Sequence, residues 1–325
     1  MKKKLVRMMP YRNSSRFYNE GETQQKGFVL DVFCMFLGSF VYRFRKAFRD
    51  SWVAKSEPIE RSKQLAITWI GHSTFLIQVG GFNILTDPVF GNVSWFFPRI
   101  FPPGIPFNKL PSIDVVLLSH NHRDHMECAS LLALKRSREP HVVVPLGNKS
   151  WFCNCNFKQV TELNWWEQKE IVFSDDSNMN LRLTFLPAKH WSQRGIFDKN
   201  RSLWGSWMIE CNGYTIYFAG DSTYSKHFTL IAQEFPRADV VLLPIGPCEP
   251  RSWLKHSHMD SQEAGQAFLD LKAKHFIPMH WGTFNFGAEP FDLPIKRLKM
   301  WWDNNTDRLS TKIIHLPKVG QRICF

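Results

Sequence analysis

Residues 119–125 read Ser-His-Asn-His-Arg-Asp-His, so four candidate metal ligands, His120, His122, Asp124 and His125, fall within six positions. An apolar, β-rich run, Ile113-Asp-Val-Val-Leu-Leu118, leads directly into them. Imidazole and carboxylate are ligands of intermediate softness, and a strand gives them a rigid support. Alternate side chains of an extended segment point the same way, so His120 and His122 can grip one ion. Asp124 and His125 belong to the turn that follows, where a second ion can sit. The competing reading is a polar surface turn rich in histidine. With 12 His in 325 residues, three within six positions and an Asp among them are improbable by chance, and the cluster reads as a metal site.

If the cluster holds metal, further ligands belong at the ends of later strands. Pro187-Ala-Lys-His190, Phe218-Ala-Gly-Asp221 and Pro278-Met-His280 each set a His or Asp just after an apolar run. Gly220 before Asp221 and Gly282 after His280 leave room for close backbone approach. Together with the first cluster these make five His and two Asp. That set suits two ions, each with three or four protein ligands and room for water.

The elements that must position these residues read as strands at 65–70, 74–79, 82–86, 113–118, 141–145, 181–185, 206–210, 214–218 and 240–244, with His275–Met279 the last. Gly80-Gly81 is a hairpin signal, and Asp87-Pro88 ends a strand because proline cannot donate to a central ladder. Helices are expected around Ser130–Arg138 and Gln262–Leu271, and the Pro-rich loop Phe96–Pro111 is long enough to be functional. Strands followed by helices, with early hairpins, indicate an α/β protein with mixed sheets.

The net charge of +12 is concentrated early, from Lys2 to Lys63, where a basic, aromatic-rich lead-in suits acidic lipid head groups better than nucleic acid; a solvated arm wrapped on the domain is the alternative. The expected organisation is a basic extension over 1–63 and a catalytic domain over 64–325. Within the extension, apolar positions between Gly27 and Tyr42 recur at helical spacing. The run is too short to span a bilayer, which needs about 20 apolar residues. Edged by Arg43, Arg45 and Lys46, an amphipathic helix over 27–46 either lies in a membrane interface or packs on the domain. Seven cysteines with no paired spacing fit a reducing, cytoplasmic setting and read as packing residues.

The chain resembles the metallo-β-lactamase superfamily in its His-x-His-x-Asp-His turn, single His, Gly-Asp and final His. Within that superfamily it is similar to the N-acylphosphatidylethanolamine-hydrolysing phospholipase D family. The segments that carry this include Trp69-Ile-Gly-His72, Thr86-Asp87-Pro88, Leu163-Asn-Trp-Trp-Glu, Trp204-Gly-Ser-Trp, Glu249-Pro-Arg251, His258-Met-Asp260 and His280-Trp-Gly-Thr-Phe, in order from about residue 64 to 290. The resemblance implies a four-layer αβ/βα sandwich with two mixed β-sheets and two zinc ions at its edge. It assigns His120, His122 and His190 to one ion and Asp124, His125 and His280 to the other, with Asp221 bridging. It further implies hydrolysis of a phosphodiester, in which attack at phosphorus releases an N-acylethanolamine-like alcohol, leaves phosphatidate and needs no serine or cysteine nucleophile.

Asp124, Asp221 and His258 are expected to take part in the chemistry, His258 by positioning or by delivering a proton to the leaving oxygen. A loop His exposed to solvent is the alternative for His258. His72 and Asp87 read as a hydrogen-bonding pair behind the ligands. Arg194 and Arg251 can bind the substrate phosphate as planar donors or serve as plain surface residues. Arg123 stands where relatives tend to carry an aromatic residue, and Ser257 where a larger amide is usual, so both are expected to reshape the mouth of the site. The amino-terminal resemblance is confined to Arg16-Phe-Tyr-Asn and the apolar helix.

The leading expectation is a zinc phosphodiesterase, peripheral at a membrane and acting on a phospholipid, with iron or manganese able to use the same ligands. Alternatives are a hydrolase of a lactone or a soluble phosphodiester, RNA included, and a non-catalytic membrane-associated scaffold. No separate nucleic-acid-binding module is visible, so nucleic acid is not expected as a partner; a homodimer is left open.

Overall fold

The computed structural model describes residues 7–20, 52–54, 57–95, 97–173 and 176–325. The helix expected over 27–46 lies outside them. Two short amino-terminal strands, β1 (Tyr11–Asn13) and β2 (Arg16–Tyr18), pair with each other. The first large sheet is built from β3 (Ala66–Gly71), β4 (Thr74–Val79), β5 (Phe82–Thr86) and β6 (Val115–Leu117). After α1 (Cys128–Ser137) it continues through β7 (His141–Pro145), α2 (Lys149–Asn154) and β8 (Val160–Leu163). The second sheet holds β9 (Gln168–Phe173), β10 (Asp176–Leu186), β11 (Ser206–Cys211) and β12 (Tyr214–Phe218). Then follow α3 (His227–Glu234), β13 (Val240–Pro244), α4 (Arg251–Leu254), α5 (Ser261–Asp270), β14 (His275–Met279), α6 (Leu293–Asp303), β15 (Ile313–Ile314) and β16 (Arg322–Cys324).

The first sheet runs β16-β3-β4-β5-β6-β7-β8 and the second β15-β14-β13-β12-β11-β10-β9, each part antiparallel and part parallel. Strand alternation explains the layers. On β4, Phe75, Ile77 and Val79 join the large central cluster, while Leu76 faces the other way with α1 and α2. On β6, Val115 and Leu117 point to the centre and Val116 outward to Leu131 and Phe152. A strand covered on both faces is apolar at most positions, which accounts for the nearly continuous runs in the sequence, and its buried polar residues, such as Gln78 and Asn83, are hydrogen-bonded to each other. Trp207 of the second sheet donates from Nε1 to Leu118 O at 2.9 Å, tying the two sheets beside the histidine turn. The result is the expected αβ/βα sandwich.

Two expectations need correction. His275–Met279 is not the last strand: β15 and β16 follow, and β16 pairs antiparallel with β3. Elements of two and three residues are too short for periodicity to register. Cys211 and Cys248 are buried packing residues, but Cys128, Cys153 and Cys324 are exposed. In the stretch assigned to the extension, Met8 and Phe17 are buried in the central core and Trp52 packs edge-on against Trp281. Among the described residues no helix is long and apolar enough to cross a membrane.

Candidate metal centre

Every candidate ligand stands just beyond a strand: His120 and His122 after β6, His190 after β10, Asp221 after β12 and His280 after β14. The turn after β6 is closed by backbone bonds from His125 N and Met126 N to His122 O, at 3.1 and 2.8 Å. Gly220, at φ +58°, lets the Asp221 turn come against it, because a Cβ there would meet Ser119 Cβ at 2.4 Å. His72, Asp87 and His280 hold left-handed backbone at φ 55°, 35° and 61°. Non-glycine residues take that conformation at a cost, which tends to be concentrated at functional sites.

Two groups of side chains meet there. His122 Nδ1 lies 2.8 Å from His120 Nε2 and 3.2 Å from His190 Nε2. Ligand atoms of His72, Asp124, His125 and His280 come within 4.8 Å of one another. Asp221 reaches both groups: its Oδ2 is 3.1 Å from His280 Nε2, 3.2 Å from His125 Nε2 and 3.7 Å from His190 Nε2. His258 Nδ1 stands 3.7 Å from the same oxygen.

Four rings are anchored through Nδ1: His120 to Ser119 Oγ at 2.9 Å, His125 to Asp87 Oδ2 at 2.7 Å, His190 to Ser257 O at 2.9 Å and His280 to Gly246 O at 2.9 Å. That leaves Nε2 of each aimed inward, the arrangement by which outer partners orient metal-bound histidines. Nε2 of His122, His125 and His280 and Oδ1 of Asp221 are buried with no hydrogen-bond partner among the described residues. Such atoms cost about 1–3 kcal/mol each when left unsatisfied. A divalent cation of intermediate softness fits this donor set.

The two groups differ electrically. Burial, with the neighbouring imidazoles, pushes His120 well below its ordinary pKa and His122 down to about 3. Burial takes His190 to about 4 against the pull of Asp221. Burial also opposes charge on His125 and His280, but there Asp221 and Asp124 outweigh it, raising His125 well above its ordinary value and His280 to about 9. Burial favours neutral Asp221 and Asp124, yet His125 and its neighbours hold both well below the carboxylate range.

The other expected residues fall as follows. His72 and Asp87 are not partners. His72 Nε2 meets Asp124 Oδ2 at 3.0 Å. Asp87 instead receives Ser119 N at 2.7 Å and Ser119 Oγ at 2.6 Å, besides His125. Parallel pairing of β5 with β6 carries Asp87 alongside Ser119, away from the β3–β4 turn that bears His72. Arg194 donates from Nη1 to Asn121 O and Met126 O, at 3.2 and 2.6 Å, and so braces the histidine turn. Arg251 donates to His258 O at 2.9 Å and pairs with Asp260 and Glu263, holding the His258 loop. Ser257 meets the site through its carbonyl rather than its hydroxyl. Arg123 is exposed.

Several contacts escaped the sequence reading. Ser119 was adjacent to the motif and could have been found as the residue fixing its first histidine. Thr283, which accepts from His72 N at 2.6 Å, and Phe284 and Phe286, packed 5.1 and 5.7 Å from the His72 ring, lie far away in sequence. Trp191 packs edge-on at 4.2 Å against His122.

Residues 82–281 match the family described as "Beta-lactamase superfamily domain". Over 264 residues the chain is 32% identical to N-acyl-phosphatidylethanolamine-hydrolyzing phospholipase D 1 of Caenorhabditis elegans, an alignment covering 77% of this chain and 73% of that protein. It is 34% identical over 267 residues to the mitochondrial enzyme of the same name from Saccharomyces cerevisiae, covering 79% and 55%. Against mycobacterial proteins to which it is 33% identical, the chain spans 64% of their length. In three dimensions it is similar to Igni18, a metallo hydrolase from the archaeon Ignicoccus hospitalis, with a TM-score of 0.60 at 21% identity over 81% of this chain and 98% of that one.

Proposed function

Because the chain belongs to the metallo-β-lactamase superfamily and, within it, to the N-acylphosphatidylethanolamine-hydrolysing phospholipase D family, relatives of which are named metal-dependent hydrolases, we propose that it is a zinc-dependent phosphodiesterase. Its proposed substrate is N-acylphosphatidylethanolamine, cleaved at a membrane surface. The observation that carries this reading is Asp221, whose Oδ2 stands within 3.1–4.0 Å of histidines from both groups, as a residue shared by two ions must. His120, His122 and His190 would hold one ion, and Asp124, His125 and His280 the other. Divalent ions bound there supply Lewis acidity toward phosphate oxygens and activate water near neutral pH.

The protein's own part is orientation and proton handling. Asp221, anchored by the Gly220 turn, fixes the spacing of the two groups. Burial lowers the His258 pKa, so the ring enters the reaction neutral, with Nδ1 3.7 Å from Asp221 Oδ2 where it can position the water or the leaving oxygen. In the overall step a water oxygen bonds to phosphorus, the bond from phosphorus to the ethanolamine oxygen breaks, and that oxygen leaves with the proton. With Arg194 and Arg251 engaged in bracing, Arg123 at the exposed face of the turn is the arginine best placed for the head group. Beside His280 a small pocket is lined by Trp281, Phe284, Phe286 and Phe291 together with Asn285 and Glu289. Exposed Ile196 and Phe197 on the His190 loop, where Arg16 donates to Phe197 O, and exposed Met9 and Tyr11 in the amino-terminal segment that carries Arg16 support an interfacial position.

The test is hydrolysis of N-acylphosphatidylethanolamine in mixed micelles, with a soluble phosphodiester, a lactone and RNA in parallel. Release of N-acylethanolamine that a chelator abolishes and zinc restores is expected. Cleavage of a soluble substrate without that release would overturn the lipid assignment.

A further inference from the structure

His120 and His122 follow a buried strand directly, but His190 lies in residues 187–205, which contain no helix or strand. A loop of that length holds a ligand only as rigidly as its fastenings allow. Trp204 Nε1 donates to Ala188 O at 3.1 Å, and Lys189 N to Ser222 Oγ at 3.0 Å. Those bonds hold neighbours. The backbone of His190 itself is held from the other end of the chain: Asn19 Nδ2 donates to His190 O at 2.8 Å, across 171 positions.

Asn19 is delivered there by a segment that is itself firmly docked. Trp166 Nε1 donates to Met8 O at 2.7 Å, Phe17 is buried in the central core, and Phe17 N donates to Asn200 O at 2.8 Å. Arg16 donates to the carbonyl of Lys199, and ion pairs Arg7–Glu234 at 2.6 Å and Glu20–Lys226 at 2.7 Å secure the two ends beside α3. Asn19 is only 5% exposed, so water does not replace its amide.

We propose that Asn19 is a positioning residue of the metal centre, acting through the carbonyl of His190 to set that histidine against His120 and His122. This rests on the reading of His190 as a ligand. The role requires a donor: an aspartate of the same shape would set a carboxylate against the carbonyl and push the loop away. Residues 7–20 are then part of the site's construction, although they lie far from every ligand in sequence.

The test uses the full chain with Asn19→Ala, Asn19→Asp and, as a control at an exposed ion pair outside this segment, Lys109→Ala. Cobalt affinity is measured by chelator competition and ligand geometry by the visible spectrum of the cobalt-loaded protein, with thermal midpoints taken metal-free. Both Asn19 variants should weaken one of two cobalt sites about 10–100-fold and alter its spectrum, as loss of an outer partner does. Lys109→Ala should leave affinity and spectrum unchanged. Should Asn19→Ala not fold, the isosteric Asn19→Asp decides. Unchanged affinity and spectrum in the Asn19 variants, with or without a lower metal-free midpoint, would overturn the proposal alone. A wild-type chain that takes up no cobalt would overturn the reading of the site, and this proposal with it.

Discussion

His120, His122 and His190 meet as three imidazoles whose pKa values burial lowers, whereas His125 and His280 stand between Asp124 and Asp221, which raise theirs. The same buried setting gives opposite outcomes, and the difference is the placement of two carboxylates. The scaffolds differ too. His125 rests on fully buried Asp87, and His280 on a carbonyl between adjacent parallel strands. His190 hangs in a long loop fastened by Asn19, Ser222 and Ser257. The carboxylate-rich group is thus held at strand ends, while the three-histidine group relies, at His190, on remote hydrogen bonds and, as a whole, on Asp221 for nearby negative charge.

Asp221→Asn should have the largest effect, because it removes what the two groups share. A fall in turnover of about 10³-fold or more, with metal lost from both groups, is expected. Retained turnover within tenfold would mean that the groups work independently. His72→Phe should break the symmetry, since it takes the donor from Asp124 and leaves the three-histidine group untouched. Competition titration should show one site weakened about 10–100-fold. Equal weakening of both would contradict the division into groups. Gly220→Ala, which drives a Cβ into Ser119, should cost about 1–3 kcal/mol in urea unfolding through overpacking. A neutral result would show that the two turns can separate.

The smallest effect concerns His227, whose Nε2 lies 3.2 Å from Ser222 Oγ behind the His190 loop. Burial lowers its pKa to about 3 from 6.5. Its folded value lies below its unfolded one, so the unfolded chain gains protons first and stability falls as pH drops from about 6.5 toward 3. His227→Gln should reduce the decline in urea midpoint between pH 7 and pH 5, and an undiminished slope would remove His227 from this account.

The central strands of the two mixed sheets were legible because they are buried on both faces and appear as apolar runs, whereas the more polar edge strands β8 and β9 were missed. The candidate ligands were legible because each stands where such a run stops. What stayed hidden depends on contacts between distant segments. Asp87 could not be matched to Ser119 and His125 without the parallel pairing of β5 with β6. Arg194 and Arg251 had the right chemistry for a phosphate, but nearby carbonyls and carboxylates engage them first. Arg16-Phe-Tyr-Asn marked only the limit of the amino-terminal resemblance, and the contact of Asn19 with His190 needs the fold to bring them together.

The central claim is that one centre joins two ions through Asp221. Metal analysis of the purified chain, combined with X-ray absorption at the zinc edge, tests it most directly. The account predicts about two zinc ions per chain in nitrogen- and oxygen-rich environments, with metal–metal scattering at about 3.5–4 Å. A single zinc per chain at saturation, or two without that scattering, would contradict it.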